Sequence, residues 1–341
     1  MSELRPTSAA GYAAFTDGRL PAPEEIDGDT LVVAVPMPAG GIVSSTLCYV
    51  LRDRNGAAHI LDPGWNTDEN AALLRHAVES WGIRRIASVI VSHLHEDHLG
   101  MAQRIRDATG AMFVMADMEW QTHLARTGSG DRSARYDAWG VPADKRPRYP
   151  TMPPGALQHP TREPELMVRD GDVLALGRDV EAVLTPGHTQ GSLTLRDAER
   201  RQLFTGDHLL PHVHPGVGLD YATDADPIGD YLESLERIRA FDGDEVLPGH
   251  GYRFAALEDR IDRTTDHHLR RARQVADALE QEQDLSVWEL ASRLTWTHGW
   301  DRLEGYFLNS ALQQTAMHAR FVADTARSAR WLERSRAAQR A

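Results

Sequence analysis

One stretch of the chain passes from an apolar strand directly into a dense set of metal-binding side chains, and this junction constrains the fold more than any other feature. Residues 86–91 are an apolar run of strand length, and residues 93–98 follow after one serine. This second run contains several side chains with nitrogen or oxygen ligand atoms, among them His93, His95, Asp97 and His98. Imidazole and carboxylate together suit zinc-like divalent metals, whereas an all-oxygen cluster would indicate calcium or magnesium. The junction therefore predicts a metal site at a strand end.

Three more residues of the same chemical types complete a set of seven. They are His188 in a Thr-Pro-Gly-His segment, Asp207 in Thr-Gly-Asp-His and His250 in Pro-Gly-His-Gly. His93 and His95 are two positions apart, so on a turn or an extended segment they can point the same way. His188 would complete a three-nitrogen site with them.

The remaining members of the set fit a second ion. Asp97 and His98 lie next along the loop and, together with His250, could hold it. Asp207 is left over, and its two oxygens could bridge cations about 3.5–4 Å apart, as in two-metal hydrolytic sites. The seven residues therefore predict one binuclear centre.

Short strands alternate with helices over the first 250 residues. The predicted strands are 46–51, 57–61, 86–91, 111–116, 173–176, 180–184, 192–195, 202–205 and 245–247, and the predicted helices are 67–81, 99–109 and 226–240. Strands that end in functional loops and lead into helices indicate a layered α/β architecture, with ligands gathered at strand ends.

The chain after His250 has a different character. It predicts helices alone, at 257–282, 286–294 and 306–333, and Ser286 with Glu289 has the spacing of a capping box. We therefore expect a metal-binding domain over residues 1–255 and a smaller helical domain over 256–341. Repeated prolines between residues 128 and 163 disfavour regular structure, and this segment is a candidate active-site lid.

At this point the sequence resembles the metallo-β-lactamase-fold hydrolases. The family's signature segments match Asp62, the run 93–98, His188, Asp207 and His250, over roughly the first three quarters of the chain. The resemblance implies a four-layer αββα sandwich with the metals at one edge between the sheets. It also implies that Asp62 orients the metal-binding loop from behind.

The resemblance further implies two Zn²⁺ ions per chain, with iron or manganese as alternatives. A metal-bridging hydroxide would attack the acyl carbon, and Asp97 or a metal-bound water could then pass a proton to the leaving group. Asp207 would bridge the ions, and His208 is a further candidate for catalysis because it follows Asp207 directly.

Details of the motifs favour one branch of the family. Asp207 stands where one class of β-lactamases needs a thiolate, and the only cysteine of the chain is Cys48. The set is similar to hydroxyacylglutathione hydrolases, lactonases and thioesterases, so we expect hydrolysis of a carboxylic ester, thioester or lactone. The alternatives are phosphodiester or RNA cleavage, iron-dependent sulfur dioxygenation, and a non-enzymatic binding role.

Charge and composition restrict the partners. The net charge is −13, and residues 251–341 hold 14 Arg against 13 Asp or Glu, so the negative charge lies in the part with the metal motifs. This disfavours nucleic acid as the substrate. We expect a small acyl substrate, with an anionic thioester conjugate contacting Arg270, Arg271 or Arg273 as one option, and a homodimer is allowed. No signal peptide or membrane span is evident, which predicts a cytoplasmic protein.

Overall fold

Two β-sheets and their flanking helices make up the described part of the chain. The computed structural model describes residues 4–39, 43–126, 132–147, 162–218, 225–297 and 299–340. The strands β1 to β14 are Arg5–Pro6, Glu24–Asp27, Thr30–Pro36, Ser45–Arg52, Ala57–Leu61, Arg85–Val91, Met112–Ala116, Leu166–Val168, Val173–Ala175, Asp179–Leu184, Leu193–Asp197, Gln202–Gly206, Glu245–Pro248 and Phe254–Ala255. The helices α1 to α11 are Ala9–Thr16, Asp68–Ser80, Glu96–Leu99, Ala102–Thr109, Asp117–Arg126, Arg132–Ala138, Pro227–Ile238, Leu257–Gln281, Val287–Arg293, Gly305–Ala323 and Thr325–Arg340.

The two sheets face each other across an apolar core. One has the strand order β1-β14-β13-β12-β11-β10-β9 and the other β2-β3-β4-β5-β6-β7-β8. Between them, Tyr49 of β4 and Phe204 of β12 meet edge to face with their ring centroids 5.2 Å apart, and both are buried. Removing such large apolar surfaces from water is the main driving force that holds the sheets together.

Helices cover the outer face of each sheet. Leu74 and Val78 of α2 pack on β3, β4 and β5. On the other side, Leu235 of α7 and Ile261 of α8 pack against Val246 of β13. The predicted four-layer αββα arrangement with a helical C-terminal region is therefore confirmed.

Parallel strand pairs bring the predicted ligands to one edge. Strands β5 and β6 run parallel in one sheet, and β12 and β13 run parallel in the other. Asp62 follows β5 and the run 93–98 follows β6, whereas Asp207 follows β12 and His250 follows β13. The Leu193 amide donates to the Ser92 carbonyl at 2.8 Å and links the two sheets at this edge.

Two predicted helices are divided in the structure. The helix predicted at 99–109 is interrupted at Gly100 and Met101, because the Met101 amide donates to the Gly64 carbonyl at 3.1 Å instead of continuing one helix. The helix predicted at 306–333 breaks at Asp324, whose carboxylate accepts from the Arg327 amide at 3.1 Å and begins α11. The sequence patterns also do not predict β3 or α5.

The predicted lid is described only over residues 132–147 and 162–163, and its other residues lie outside the described ranges. The prediction of no regular structure is wrong for α6, which precedes the prolines. Tyr136 packs in a cluster with Leu308 and Leu312 of α10, and its hydroxyl donates to Asn309 Oδ1 at 2.9 Å. A role of 128–163 as a lid stays a prediction.

The C-terminal helices begin directly after the last strand. Helix α8 starts at Leu257, two residues after β14 ends at Ala255. Arg327 of α11 forms ion pairs with Asp226, Asp230 and Glu233 in and beside α7. The division into domains 1–255 and 256–341 stays a prediction. None of the described helices combines the length and apolar composition needed to cross a lipid bilayer.

Candidate metal centre

Three histidines from two loops face one another and form the first half of the site. The His93 Nε2 and His95 Nδ1 atoms are 2.8 Å apart, and the His188 Nε2 atom lies 3.1 Å from His95 Nδ1. His93 and His188 are buried, whereas His95 is partly exposed. We refer to His93, His95 and His188 as the nitrogen triad, and its ligand atoms are close enough to hold one cation.

A second group mixes nitrogen and oxygen ligands. The His250 Nε2 atom lies 3.2 Å from Asp97 Oδ2 and 3.3 Å from His98 Nε2. The Asp97 side chain is 16% exposed, so solvent reaches this side of the group. Asp97, His98 and His250, which we call the mixed triad, could hold a second cation.

The Asp207 carboxylate stands between the two triads. Its Oδ2 atom lies 3.7 Å from His188 Nε2, and its Oδ1 atom lies 3.3 Å from His98 Nε2 and 3.4 Å from His250 Nε2. Oδ1 is buried, and none of the described residues meets it with the geometry of a hydrogen bond. An unsatisfied buried carboxylate oxygen is costly, and two bound cations would satisfy both oxygens. The donor set therefore fits a binuclear site, as the metallo-hydrolase motifs imply.

Partners behind the histidines fix which nitrogen faces the centre. His188 Nδ1 donates to the Gly216 carbonyl at 2.6 Å, and His250 Nδ1 donates to the Ser45 carbonyl at 2.8 Å. Because a carbonyl oxygen can only accept, these two rings carry the proton on Nδ1 and present Nε2 as the ligand atom.

Asp62 supports the loop of residues 93–98 from behind. One carboxylate oxygen accepts from the Ser92 amide at 2.7 Å, and the other accepts from the Ser92 hydroxyl at 2.7 Å and faces His98 Nδ1 at 2.9 Å. Gly206 has a φ of 49°, and a Cβ there would lie 2.6 Å from Ser92 Oγ. Glycine at 206 therefore lets the strand before Asp207 approach the Asp62–Ser92 pair closely.

The two triads differ in electrostatics. Burial and the neighbouring His95 lower the pKa of His188 to about 4, and burial likewise lowers the pKa of His93. Burial also opposes the charged form of His250, but the Asp207 and Asp97 carboxylates raise its pKa to about 10. The same carboxylates raise the pKa of His98. His93 and His188 are thus neutral at pH 7, whereas the positively charged forms of His98 and His250 are stabilised by the Asp97 and Asp207 carboxylates.

Glu119 is a site residue that the sequence reasoning missed. It lies on α5 and is fully buried. One oxygen accepts from the Leu94 amide at 2.8 Å and the other from the Gly191 amide at 2.7 Å. One carboxylate therefore ties the loop of His93 and His95 to the loop of His188. No signal in the sequence marks this role, because Glu119 belongs to no motif and its helix was not predicted.

Other predicted residues lie away from the converging ligand atoms. The buried His208 ring packs against Tyr231, with centroids 5.1 Å apart, and is not part of either triad. Arg271 stacks over Trp296, with its guanidinium carbon 4.2 Å from the ring centroid, and Arg273 donates to the Leu269 carbonyl. These two arginines are engaged within the C-terminal helices. Arg270 is exposed.

A cleft adjoins the mixed triad. Its volume is about 280 Å³, and Phe15, Met37, Val43, Ser45 and His212 are among the residues that line it. The Ser45 carbonyl at its wall is the atom that accepts from His250 Nδ1. The cleft therefore lies immediately beside a predicted ligand, and its lining combines apolar side chains with polar ones such as Arg19 and Ser44.

Comparisons with known proteins agree with this geometry. The family model described as "Metallo-beta-lactamase superfamily" matches residues 41–250. The acyl-coenzyme A thioesterase MBLAC2 of Gallus gallus is 27% identical over 191 residues, which are 54% of this chain and 62% of the chicken protein. The chain thus matches less than two thirds of that relative. A probable metallo-hydrolase of Bacillus subtilis, YqjP, is 23% identical over 77% of this chain and 84% of its own length.

A solved structure is similar over almost the whole chain. It is a metallo-beta-lactamase family protein from Thermus thermophilus, with a TM-score of 0.72 and 22% sequence identity. The superposition covers 89% of this chain and 95% of the other. At this identity the similarity shows the fold alone, and it extends to the C-terminal helices.

Proposed function

Because the chain belongs to the metallo-β-lactamase superfamily, we propose that it is a metal-dependent hydrolase that cleaves a carboxylic ester, thioester or lactone, with an acyl thioester as the favoured substrate. The observation that best supports the proposal is the position of Asp207 between the two triads. Its oxygens lie 3.3–3.7 Å from ligand nitrogens on both sides. Such a shared carboxylate is what a pair of hydrolytic metal ions requires.

In this proposal the seven ligands hold two Zn²⁺ ions, one at each triad with Asp207 between them. Imidazole nitrogens and carboxylate oxygens suit zinc, and iron or manganese could use the same donors. When bound, such a pair lowers the pKa of water and polarises a carbonyl oxygen. The partly exposed His95, Asp97 and Asp207 leave the centre open to solvent, as a catalytic site requires.

The protein's own residues orient the ligands and handle a proton. Asp62 and the Ser45 and Gly216 carbonyls hold three imidazoles at fixed angles. Asp97 faces His250 through Oδ2, so we assign to its other oxygen, Oδ1, the step that takes a proton from the attacking water and passes it to the leaving group. His208 keeps no catalytic role in this scheme, since its ring packs on Tyr231.

An acyl thioester is favoured for two reasons. A relative over about half of this chain is named as an acyl-coenzyme A thioesterase. In addition, Phe15, Met37 and Val43 line part of the cleft beside His250 and can contact a hydrocarbon acyl group, while Arg19 supplies a polar contact in the same lining. The acidic charge of residues 1–250 disfavours a nucleic acid in the same place.

Metal analysis and substrate assays on one preparation test the proposal. We expect two zinc ions per chain and hydrolysis of acyl thioesters or other carboxylic esters, with turnover lost and the metal content lowered in His93→Ala and Asp207→Ala. His76→Ala is the matched control, because His76 is exposed on α2. Full activity of metal-free Asp207→Ala protein would defeat the mechanism. Cleavage of phosphodiesters alone, or oxygen consumption with one iron per chain, would replace the proposed activity.

A further inference from the structure

We propose that Gln313 and Gln314, on helix α10 of the C-terminal region, are positioning residues for the nitrogen triad. They lie far from the metal motifs in sequence, and neither side chain reaches a predicted ligand directly. Their effect passes through residues 216–218, the segment that holds His188. The inference rests on the proposed metal-binding function of the triad.

Residues 216–218 hold the His188 loop by two hydrogen bonds. His188 Nδ1 donates to the Gly216 carbonyl at 2.6 Å. Two residues further on, the Gly218 amide donates to the Gly187 carbonyl at 2.8 Å. The segment therefore fixes both the backbone before His188 and the orientation of its ring. A shift of the segment would rotate His188 Nε2 away from His95 Nδ1.

Helix α10 holds the same segment from the other side. Gln313 Nε2 donates to the Gly218 carbonyl at 2.9 Å, and Gln314 Nε2 donates to the Val217 carbonyl at 2.5 Å. Val217 and Gly218 are buried, and Gln313 is only 8% exposed. Because Val217 and Gly218 are buried, losing either glutamine donor removes a hydrogen bond from a carbonyl that water does not readily reach.

Helix α10 is itself held in place by other parts of the protein, so it provides a fixed support for residues 216–218. Arg320 donates to the Ala225 carbonyl at 3.0 Å, and Phe321 is fully buried in the core cluster with Leu232 of α7 and Leu269 of α8. Gly218 has a φ of 77°, and a Cβ there would lie 3.1 Å from Met317 Cγ. The absence of a side chain at 218 therefore allows the segment to lie directly on α10.

The mixed triad is supported by other residues. His98 is held by Asp62, and His250 is held by the Ser45 carbonyl. Asp62 and Ser45 belong to the second sheet and its loops and do not depend on α10 for these bonds. Loss of the two glutamine donors should therefore weaken cation binding at the nitrogen triad and leave cation binding at the mixed triad unchanged. A general loss of stability would weaken both.

Zinc binding to metal-free protein, measured by competition with a chromophoric chelator, tests the inference. In Gln313→Leu and Gln314→Leu we expect the affinity of one of the two zinc ions to fall about 10–100-fold, the usual effect of losing a residue that supports a metal ligand. The other ion should bind as in the wild type. The zinc-binding curve of each glutamine variant should therefore resemble that of His188→Ala, which loses a ligand of the nitrogen triad. It should differ from that of His250→Ala, which loses a ligand of the mixed triad.

Matched variants separate positioning from misfolding. Gln281→Leu makes the same substitution at an exposed position on α8 and should leave both affinities unchanged. Gln314→Glu keeps the shape of the side chain but replaces the donor, so it should behave like Gln314→Leu, and thermal unfolding of the metal-free proteins reports their folding. Unchanged zinc binding in folded Gln313→Leu and Gln314→Leu, or equal weakening of both ions, would overturn the inference. A wild-type protein that binds no metal would instead overturn the proposed function.

Discussion

Histidines gather in two regions of this molecule, and only one of them has the geometry of a metal site. In the metal centre, ring nitrogens of five histidines converge with the Asp97 and Asp207 carboxylates. The second region, which we call the interface cluster, consists of His214, of His267 and His268 on helix α8, and of His318 on helix α10. Its rings stack instead: His214 on His267 with centroids 4.0 Å apart, and His268 on His318 with centroids 5.6 Å apart.

Charge separates the two regions as clearly as geometry does. In the interface cluster, burial and neighbouring cationic or imidazole groups lower every histidine pKa, to about 3 for His214 and His318 and to about 4 for His267. Within the described ranges, no carboxylate pairs with any of the four. A high density of histidine alone does not make a cation site. Such a site also needs ring nitrogens whose lone pairs converge, a shared carboxylate, and hydrogen bonds that orient the rings from behind.

The largest expected effect comes from removing the shared carboxylate. Asp207→Asn keeps the shape of the side chain but removes the charge between the triads. We expect kcat/KM for the best thioester substrate to fall at least about 10³-fold, on the scale of losing a preorganised electrostatic group. Steady-state kinetics with zinc-loaded protein measures this. Activity within a few fold of the wild type would show that the two triads do not need a bridge.

Glu119→Gln should have the next largest effect. The amide group can accept only one of the two backbone hydrogen bonds, so either Leu94 or Gly191 loses its partner. We expect zinc affinity to fall about 10–100-fold, and the unfolding free energy to fall by about 1–3 kcal/mol. Chelator competition and urea unfolding measure the two quantities. Glu69→Gln, at an exposed position on α2, is the control and should change neither.

The interface cluster should lower the unfolding free energy of the protein as the pH falls. His214, His267 and His318 have folded-state pKa values of about 3–4 against an ordinary value of about 6.5, so the unfolded chain takes up protons first as the pH falls. Their contribution is therefore fully present above pH about 6.5 and is lost progressively towards pH 4, by on the order of 1 kcal/mol per pH unit for a fully buried group.

His318→Leu tests this pH dependence, because His318 is buried and stacks on His268. Urea unfolding of metal-free protein between pH 4.5 and 7 should show a shallower loss of stability in the variant than in the wild type. His76→Leu, at an exposed site, should keep the wild-type slope. An unchanged slope in His318→Leu would mean that these histidines do not govern acid unfolding.

The smallest expected effect is on metal binding by variants of the interface cluster. His267→Ala removes a ring that stacks on His214 and lies outside both triads. Elemental analysis of the zinc-loaded variant should give the wild-type metal content. Loss of an ion from this variant alone would place a cation site where the ring geometry argues against one.

The convergence of the seven ligand residues could be predicted from the sequence because short motifs hold all of them. The run 93–98 follows a strand, and the Pro-Gly-His and Gly-Asp-His segments fall at strand ends, so local patterns locate the ligands. The strand bounds were also close, as for Ala57–Leu61, which the structure reproduces. Whether the seven residues bind metal and perform the proposed roles stays a prediction.

What the sequence does not predict depends on contacts between distant segments. Glu119 joins two loops separated by almost a hundred residues, and no local pattern marks a buried carboxylate on a short helix. Gln313 and Gln314 resemble ordinary helix residues until α10 lies against residues 217–218. The four histidines of the interface cluster carry no pattern that separates stacked rings from ligands.

Anomalous diffraction at the zinc edge, recorded from zinc-loaded crystals, tests the central claim most directly. The account predicts two peaks about 3.5–4 Å apart, one at the nitrogen triad and one at the mixed triad, with the Asp207 carboxylate between them and no peak between His268 and His318. A single peak away from Asp207, or a peak within the interface cluster, would contradict it.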